Sequence, residues 1–228
     1  MVLIPAHNEA STVGAVVRDV RRRCTRTVVV IDDCSSDDTI AEARAAGAVV
    51  LPLPLQLGAW GAIQTGLRYA LKMESPFAVT LDADGQHEPA ALKSVLKPLL
   101  AGEADVVIGA FPARASYLRR LAWRYFRGLT GLELEDITSG FRAYNPKAMK
   151  LLASPEASLL DYQDVGVLLI LHRNGLRVVE VPVPMQPRTQ GISRVFNSWW
   201  TVGRYMLQTS LLCIARVGYG RSAHSNRE

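Results

Sequence analysis

Short apolar runs alternate with longer stretches of helical periodicity through the first 110 residues. The runs contain few polar residues, which is typical of strands that are covered on both faces of a parallel sheet. We predict strands at residues 2–4, 28–32, 49–51, 77–81 and 106–108. We predict helices at residues 11–23, 39–46, 61–72 and 89–101. The alternation indicates an α/β fold with a doubly wound, mainly parallel sheet flanked by helices.

The second half of the chain is less regular. Residues 115–128 interleave four arginines with four aromatic residues, a composition typical of a helix at a membrane interface. A further helix is predicted near residues 161–173, and a strand at residues 178–183. The uncharged run 205–215 has 11 residues, fewer than the ~20 that a bilayer span needs. This run can therefore lie on a membrane but cannot cross one.

These elements predict a main domain over residues 1–194, in which residues 1–110 and 111–194 form two functionally different halves. Residues 195–228 are expected to form an amphipathic C-terminal helix and a polar tail. No basic segment followed by an apolar one opens the chain, so we expect a cytoplasmic protein. The three cysteines are far apart and odd in number, which disfavours a disulfide scaffold and a zinc ribbon.

Charge separates the two halves. Residues 1–110 carry 10 Lys and Arg against 13 Asp and Glu, whereas residues 111–228 carry 16 against 8. The net charges are therefore −3 and +8, which together give the +5 of the whole chain. A basic half suggests an anionic partner, either nucleic acid or a membrane surface, although a solvated basic face is the simpler alternative. With 49% hydrophobic and 21% charged residues, the chain is not a disordered or low-complexity protein.

Acidic residues follow three of the predicted strands, within residues 5–9, 32–37 and 82–87. Ligands of doubly wound sheets bind beyond the carboxyl ends of the strands, so these segments mark the expected site. Oxygen-rich clusters of this kind suit Mg²⁺ or Mn²⁺. One Asp-x-Asp alone could be a turn followed by a helix N-cap. Three such segments at one edge favour a cation-assisted site.

Several other chemistries lack their motifs. The chain has no GxGxxG after the first strand, no GxxxxGK[ST] and no GxSxG. Dinucleotide binding, P-loop ATP hydrolysis and serine esterase chemistry are therefore disfavoured. The four histidines also lack the spacing of metal ligands.

Five segments in order resemble the family 2 glycosyltransferases, which are inverting enzymes of the GT-A (Rossmann-like) fold. The resemblance is strongest to their polyprenyl-phosphate branch, which is similar to dolichyl-phosphate-mannose synthase. The segments are IPAHNE at 4–9, VIDDCSSDDT at 30–39, LDADGQH at 81–87, TSGFR at 138–142, and VEVPV at 179–183 with the following residues 188–193. The resemblance implies a hexosyltransferase that moves a sugar from a UDP or GDP sugar to a polyprenyl-phosphate-type lipid.

The resemblance also implies roles for individual residues. The nucleotide sugar would be bound by Pro5, Ala6, Asn8, Glu9, Asp33, Gly58, Asp82, Ala83 and Asp84. Asp82 and Asp84 match the DxD pair that binds Mg²⁺ or Mn²⁺, with Gln86 as a further ligand. Phosphate would be bound by Arg142, Arg188 and Ser193, because a guanidinium fork suits phosphate. The catalytic residues implied are Asp84, Asp164 and Arg142.

The chain departs from this branch in places. The segment 56–61 lacks the lysine of the common Asn-x-Gly-Lys-Gly pattern, and Arg194 stands where a lysine is usual. The QxxRW sequence of polysaccharide synthases is absent. Asp161 and Asp164 are the nearest candidates for a general base. A phosphate acceptor is ionised at pH 7 and needs little base, so the missing clear base favours a lipid phosphate.

Other functions stay open at this point. A glycosyltransferase of the same fold could use a soluble acceptor, with Asp161 or Asp164 as base. A catalytically silent nucleotide-sugar-binding or membrane scaffold protein is another alternative, whereas a nucleotidyltransferase is disfavoured because the Gly-x-Gly-x-Arg opening is missing. We expect peripheral contact with the cytoplasmic face of an anionic membrane through residues 117–127 and 199–215, and no nucleic acid partner. The same residues could instead pack on the domain or form a homodimer face.

Overall fold

The computed structural model describes residues 1–112, 117–130, 134–159, 165–186 and Ser210. The described strands are β1 (Val2–Ala6), β2 (Val28–Asp32), β3 (Val49–Pro52), β4 (Ala78–Thr80), β5 (Val106–Ala110), β6 (Arg142–Tyr144) and β7 (Val178–Pro182). The described helices are α1 (Val13–Arg23), α2 (Thr39–Ala45), α3 (Gly58–Lys72), α4 (Leu92–Leu100), α5 (Tyr117–Thr130), α6 (Pro146–Leu152) and α7 (Val165–Arg173). Among the described residues, short 3-10 helices lie at Pro89–Ala91 and Glu156–Leu159.

The seven strands form one sheet in the order β3-β2-β1-β4-β6-β5-β7. All neighbours pair in parallel except β6, which runs antiparallel to both β4 and β5. The predicted α/β, mainly parallel, doubly wound sheet is therefore confirmed. Strand β6 was not predicted, because it has only three residues and begins with an arginine.

Successive residues of each strand alternate between two apolar layers. In β1 and β2, Leu3, Val29 and Ile31 pack with α3, α5, α6 and α7 on one face of the sheet. Ile4 and Val30 pack with α1, α2 and α4 on the other face. Because both faces are covered, the strands carry apolar residues at most positions, as the sequence indicates.

The arginine-aromatic segment forms α5, as predicted, but its aromatic residues are divided between two environments. Trp123 and Phe126 are buried in the core. Leu121 and Tyr125 are 54% and 48% exposed. The Tyr125 hydroxyl lies 3.2 Å from the Oγ of Ser210. This contact brings α5 next to the one described residue of the C-terminal segment.

None of the helices within the described ranges is long and apolar enough to cross a membrane. The C-terminal helix and polar tail predicted over residues 195–228, which include the uncharged run 205–215, lie outside the described residues, apart from Ser210.

Candidate active site

The loops that follow β1 and β2 are bound to each other. The Asn8 N–H donates to Ser35 Oγ at 2.9 Å, and the Ser36 N–H donates to Asn8 Oδ1 at 2.8 Å. The Glu9 N–H donates to Thr39 Oγ1 at 2.8 Å. Asn8 has φ of 53°, a left-handed conformation that asparagine tolerates better than most residues. The predicted nucleotide-binding residues Asn8 and Glu9 thus sit in a loop that its neighbour holds in place.

The two aspartates at the end of β2 have different surroundings. Both carboxylate oxygens of Asp33 accept backbone N–H groups, from Leu57 at 2.7 Å and Gly58 at 2.9 Å. The positive amino end of α3 stabilises a negatively charged carboxylate at this position. Asp32 is 1% exposed, and its Oδ2 accepts the Ser35 N–H. Its Oδ1 is buried with no hydrogen-bond partner among the described residues.

Sequence reasoning assigned a nucleotide contact to Asp33 and did not single out Asp32. The structure brings the predicted residues Asp33 and Gly58 together, because Asp33 binds the backbone at the start of α3. Asp32 is the aspartate with a carboxylate oxygen, Oδ1, that has no hydrogen-bond partner among the described residues. No signal in the sequence separates two adjacent aspartates, since helix α3 is contributed from 24 residues further along the chain.

The predicted metal ligands lie in the turn that follows β4. Gly85 has φ of 76°, a conformation that glycine adopts without strain. The Gln86 N–H donates to Asp84 Oδ1 at 3.0 Å. The Asp82 side chain is 43% exposed. The turn therefore places both carboxylates and the Gln86 amide on one short loop at the carboxyl edge of the sheet.

His87 fastens this turn to the rest of the domain, a role that sequence reasoning missed. Its Nδ1 accepts the Asp82 N–H at 3.2 Å and lies 3.6 Å from Asp82 Oδ2. Its ring packs on Phe141 with centroids 5.4 Å apart, and its backbone bridges to Met185. His87 is 4% exposed, so this side chain is a structural element of the turn. Its position in the turn could have been noticed, but its burial could not.

The predicted TSGFR segment reaches the turn after β4 through Gly140. A Cβ on Gly140 would lie 2.5 Å from Asp82 Oδ1, so only glycine allows this approach. The Thr80 hydroxyl donates to the Gly140 carbonyl at 2.7 Å. The Ser139 hydroxyl donates to the Gly109 carbonyl at 2.6 Å. Strands β4 and β5 thus hold the segment beside Asp82.

Arg142 is fully buried and begins β6. Its Nε donates to the Ser139 carbonyl at 2.8 Å, and its Nη2 donates to the Ile137 carbonyl at 2.9 Å. Its Nη1 is buried with no hydrogen-bond partner among the described residues. Two of the three guanidinium nitrogens are therefore oriented by hydrogen bonds, and the third, Nη1, is left without one. The phosphate contact assigned to Arg142 stays a prediction.

Glu180 of β7 holds the start of the same segment. Its Oε1 accepts the Asp136 N–H and its Oε2 accepts the Glu135 N–H, each at 2.7 Å. Burial raises the pKa of Glu180; the two N–H donors oppose this, and the nearby carboxylates of Asp136 and Glu135 raise the pKa further. Asp136 is fully buried, and its Oδ2 accepts the Phe111 N–H at 3.2 Å.

Four predicted site residues, Asp161, Asp164, Arg188 and Ser193, lie outside the described residues. Pro5 and Ala6 end β1, where Ala6 pairs with Asp32. The Ala6 carbonyl also accepts the Asp33 N–H at 2.8 Å. The carboxyl edge of the sheet therefore gathers the first two acidic loops side by side.

The turn after β4 offers oxygen atoms that could bind a divalent cation. Within the parts of the chain that the structure describes, no three His, Cys, Asp or Glu side chains form a group that could hold a metal ion. Mg²⁺ is commonly bound by one or two carboxylates together with substrate phosphates rather than by an all-protein cage. Asp82, Asp84 and the Gln86 amide are all oxygen donors on an accessible turn, so they fit a cation shared with a diphosphate.

We refer to the turn after β4, residues 82–87, as the acidic turn. The sheet order, with one antiparallel strand beside this turn, defines an α/β protein of the GT-A glycosyltransferase fold. The sequence matches the description Glycosyl transferase family 2 over residues 1–152. The chain therefore belongs to glycosyl transferase family 2 and is a glycosyltransferase.

Two relatives cover most of the chain. It is 29% identical over 219 residues to the polyprenol monophosphomannose synthase of Mycolicibacterium smegmatis, with 87% of this chain and 81% of the relative covered. It is 30% identical over 213 residues to the undecaprenyl-phosphate mannosyltransferase of Micrococcus luteus, with 86% of each chain covered. The family expected from the sequence is thus confirmed.

A solved structure shares the fold. Glucosyl-3-phosphoglycerate synthase from Mycobacterium tuberculosis, in complex with Mn²⁺, uridine diphosphate and phosphoglyceric acid, superposes with a TM-score of 0.74. The two proteins are 22% identical, and the match covers 95% of this chain and 78% of that one. The predicted GT-A architecture is confirmed by this likeness.

Proposed function

We propose that this glycosyltransferase moves a sugar, with inversion, from a UDP or GDP sugar to a polyprenyl-phosphate-type lipid, with the help of Mg²⁺ or Mn²⁺. The observation that carries the proposal is the turn after β4. It presents the Asp82 and Asp84 carboxylates at the carboxyl edge of a parallel sheet, where ligands of such sheets bind. The solved relative of the same fold was crystallised with Mn²⁺ and uridine diphosphate.

The donor would lie across the loops after β1, β2 and β4. Pro5, Ala6, Asn8, Glu9 and Asp33 would bind the base and ribose, through the loops that hydrogen bonds fix to each other. Gly58 and Ala83 would allow the backbone to approach the donor. The buried Oδ1 of Asp32, which has no hydrogen-bond partner among the described residues, adds an acceptor at the same edge.

The chemistry exchanges one bond at the anomeric carbon. An oxygen of the acceptor phosphate attacks that carbon from the face opposite the diphosphate, and the old bond to the diphosphate breaks. The nucleoside diphosphate leaves with the electron pair, which inverts the anomeric centre. A divalent cation held by Asp82, Asp84 and Gln86 would supply Lewis-acid neutralisation of the charge that develops on the diphosphate.

The acceptor proposal rests on two supports. The names of both relatives include a lipid of the polyprenyl type: polyprenol monophosphomannose synthase and undecaprenyl-phosphate mannosyltransferase. The Nη1 of Arg142 has no hydrogen-bond partner among the described residues, and a guanidinium group suits phosphate. An anion is the natural acceptor for this donor, and Arg188 and Ser193 would complete the phosphate contacts. The acceptor phosphate is already ionised at pH 7, so it needs no strong base.

Helix α5 would bring the enzyme to the membrane as a peripheral protein. Arg120 and Arg124 are exposed on α5 beside Leu121 and Tyr125. Each basic residue near an anionic leaflet contributes ~1 kcal/mol, in addition to any insertion of apolar side chains. The C-terminal segment is adjacent through the Tyr125–Ser210 contact.

A soluble acceptor is the second candidate function. The solved relative is named glucosyl-3-phosphoglycerate synthase and was crystallised with phosphoglyceric acid, a small water-soluble molecule. Arg142 could serve either acceptor, and Asp161 or Asp164 could then act as base.

Both candidates are tested by one series of assays. Release of free nucleotide from a panel of UDP and GDP sugars, with Mn²⁺ or with EDTA, identifies the donor. The active donor is then offered to a short-chain polyprenyl phosphate and to 3-phosphoglycerate. We expect Mn²⁺-dependent transfer to the polyprenyl phosphate with inverted anomeric configuration. Transfer to phosphoglycerate alone would overturn the lipid proposal, and unchanged transfer in EDTA would overturn the cation.

A further inference from the structure

Glu180 and Arg142 lie on the same face of the sheet, on the two strands that flank β5. Both pair with Ile108 of β5 in the sheet register, and residues in register project from the same face. Both side chains bind the backbone of residues 135–139. Glu180 accepts N–H groups at the start of this segment, and Arg142 donates to carbonyl groups nearer its end.

The segment ends at the acidic turn. Gly140 follows directly and lies so close to Asp82 that a Cβ would clash with the carboxylate. A shift of residues 135–139 would therefore move the backbone that packs on Asp82. It would also release the carbonyl groups that orient the Arg142 guanidinium. Two predicted substrate-binding side chains thus depend on one segment.

We propose that Glu180 is a positioning residue for sugar transfer, which fixes residues 135–140 so that Gly140 and Arg142 keep their places at the active site. The inference rests on the proposed function, because it takes Asp82 and Arg142 as the groups that bind the substrates. Glu180 acts only through the backbone that it holds.

The choice of a carboxylate has a geometric reason. Glu180 uses one oxygen for each of two successive N–H donors. A glutamine has one acceptor oxygen, and its NH₂ group would face the second N–H. Glu180→Gln therefore keeps the size of the side chain while it removes one of the two hydrogen bonds and the charge that strengthens both.

A matched control lies at the opposite end of β5 and β7. Asp105 precedes β5, and its two oxygens accept the Arg177 N–H and the Asn145 amide, each at 2.8 Å. Asp105→Asn makes the same chemical change in a carboxylate of the same kind. It lies at the amino edge of the sheet, away from the acidic turn.

The experiment compares both variants with the wild-type protein by hydrogen exchange and by kinetics. We expect Glu180→Gln to speed exchange in peptides covering residues 134–141 and to lower transfer by roughly tenfold or more, as is typical of residues that support a binding shell. Asp105→Asn should speed exchange around Arg177 and keep transfer within about twofold of wild type. The nucleoside diphosphate affinity in Mn²⁺, measured by calorimetry, should weaken only in Glu180→Gln.

Two results would overturn the inference. One is wild-type transfer and wild-type exchange in Glu180→Gln; the other is an equal loss of transfer in both variants, which indicates a general loss of stability. If the wild-type protein transfers no sugar at all, the proposed function fails separately. Calorimetry then decides about Glu180: weaker Mn²⁺-dependent nucleotide binding in Glu180→Gln alone supports its role, and unchanged binding refutes it.

Discussion

Gly140 lies against Asp82, with the position of its absent Cβ only 2.5 Å from Asp82 Oδ1. The two residues come from different strands' ends, since Asp82 follows β4 and Gly140 precedes β6. Strands β4 and β6 pair directly, which brings the two loops together. The backbone of Gly140 therefore packs on the Asp82 carboxylate, which we propose as a cation ligand.

Gly140→Ala is expected to displace the Asp82 carboxylate, because the neighbouring atoms would have to move apart. We expect Mn²⁺-dependent transfer to fall by roughly a hundredfold, the cost of about 1 Å of misplacement at a reacting group. The control is Gly128→Ala in α5, where a new Cβ meets nothing within 4 Å. That variant should keep full activity and gain up to about 1 kcal/mol of stability, measured by urea unfolding. Full activity in Gly140→Ala would contradict the proposed site.

Asp84→Ala is expected to abolish sugar transfer while the protein stays folded. The carboxylate is removed from an accessible turn rather than from the core, so the melting temperature should change little. Far-UV circular dichroism and nucleotide release in Mn²⁺ check the two statements. Glu103→Ala, an exposed carboxylate after α4, is the control and should transfer at the wild-type rate. Transfer by Asp84→Ala in EDTA at the wild-type rate would exclude a cation role for this residue.

The lowered pKa of Asp105 predicts how the stability of the fold depends on pH. Burial alone would raise the pKa of Asp105, but the Arg177 N–H, the Asn145 amide and the charges of Arg177 and Lys147 outweigh burial and lower it. Because the folded-state pKa is below the ordinary value of about 3.9, the carboxylate stabilises the fold above that pH. This contribution disappears as the pH falls through the lowered pKa.

Asp105→Asn should therefore be less stable than wild type by about 1–3 kcal/mol at pH 7, because an NH₂ group would face a donor. The difference in the free energy of unfolding should shrink when urea titrations are repeated below about pH 4. A difference that stays constant down to pH 2 would show that the ionised carboxylate is not what stabilises this end of β5.

Charge reversal on α5 tests whether this helix binds the membrane surface. Arg120→Glu combined with Arg124→Glu should abolish sedimentation with anionic liposomes at low salt, because both arginines are exposed beside Leu121 and Tyr125. Wild-type binding should weaken as salt is raised. Retained sedimentation of this double variant would place the membrane contact elsewhere.

The control for this experiment is Arg22→Glu combined with Arg44→Glu, which changes the net charge equally. Both arginines are exposed, and α1 and α2 pack on the sheet face opposite α5. This double variant should sediment like wild type. Loss of binding in both double variants would indicate an effect of total charge rather than of a particular face.

The sequence alone determined the alternating elements, the mainly parallel sheet and the family. These follow from local patterns: uninterrupted apolar strands such as β2, the periodicity of α1, and acidic residues just after the strands. Parallel strands align their carboxyl ends, so the sequence alone assigns the loops at Asn8, Asp33 and Asp82 to one edge of the sheet.

Only the tertiary structure decided which groups in that edge touch. It inserted β6 between β4 and β5, bound Asp33 to the start of α3, and placed Gly140 on Asp82. It also joined Glu180 to Asp136 across 44 residues of sequence. Such contacts leave no periodic trace, because they depend on how distant loops pack once the sheet has formed. The sequence thus predicted the edge of the sheet at which we propose the active site, and packing alone determined which residues contact each other there.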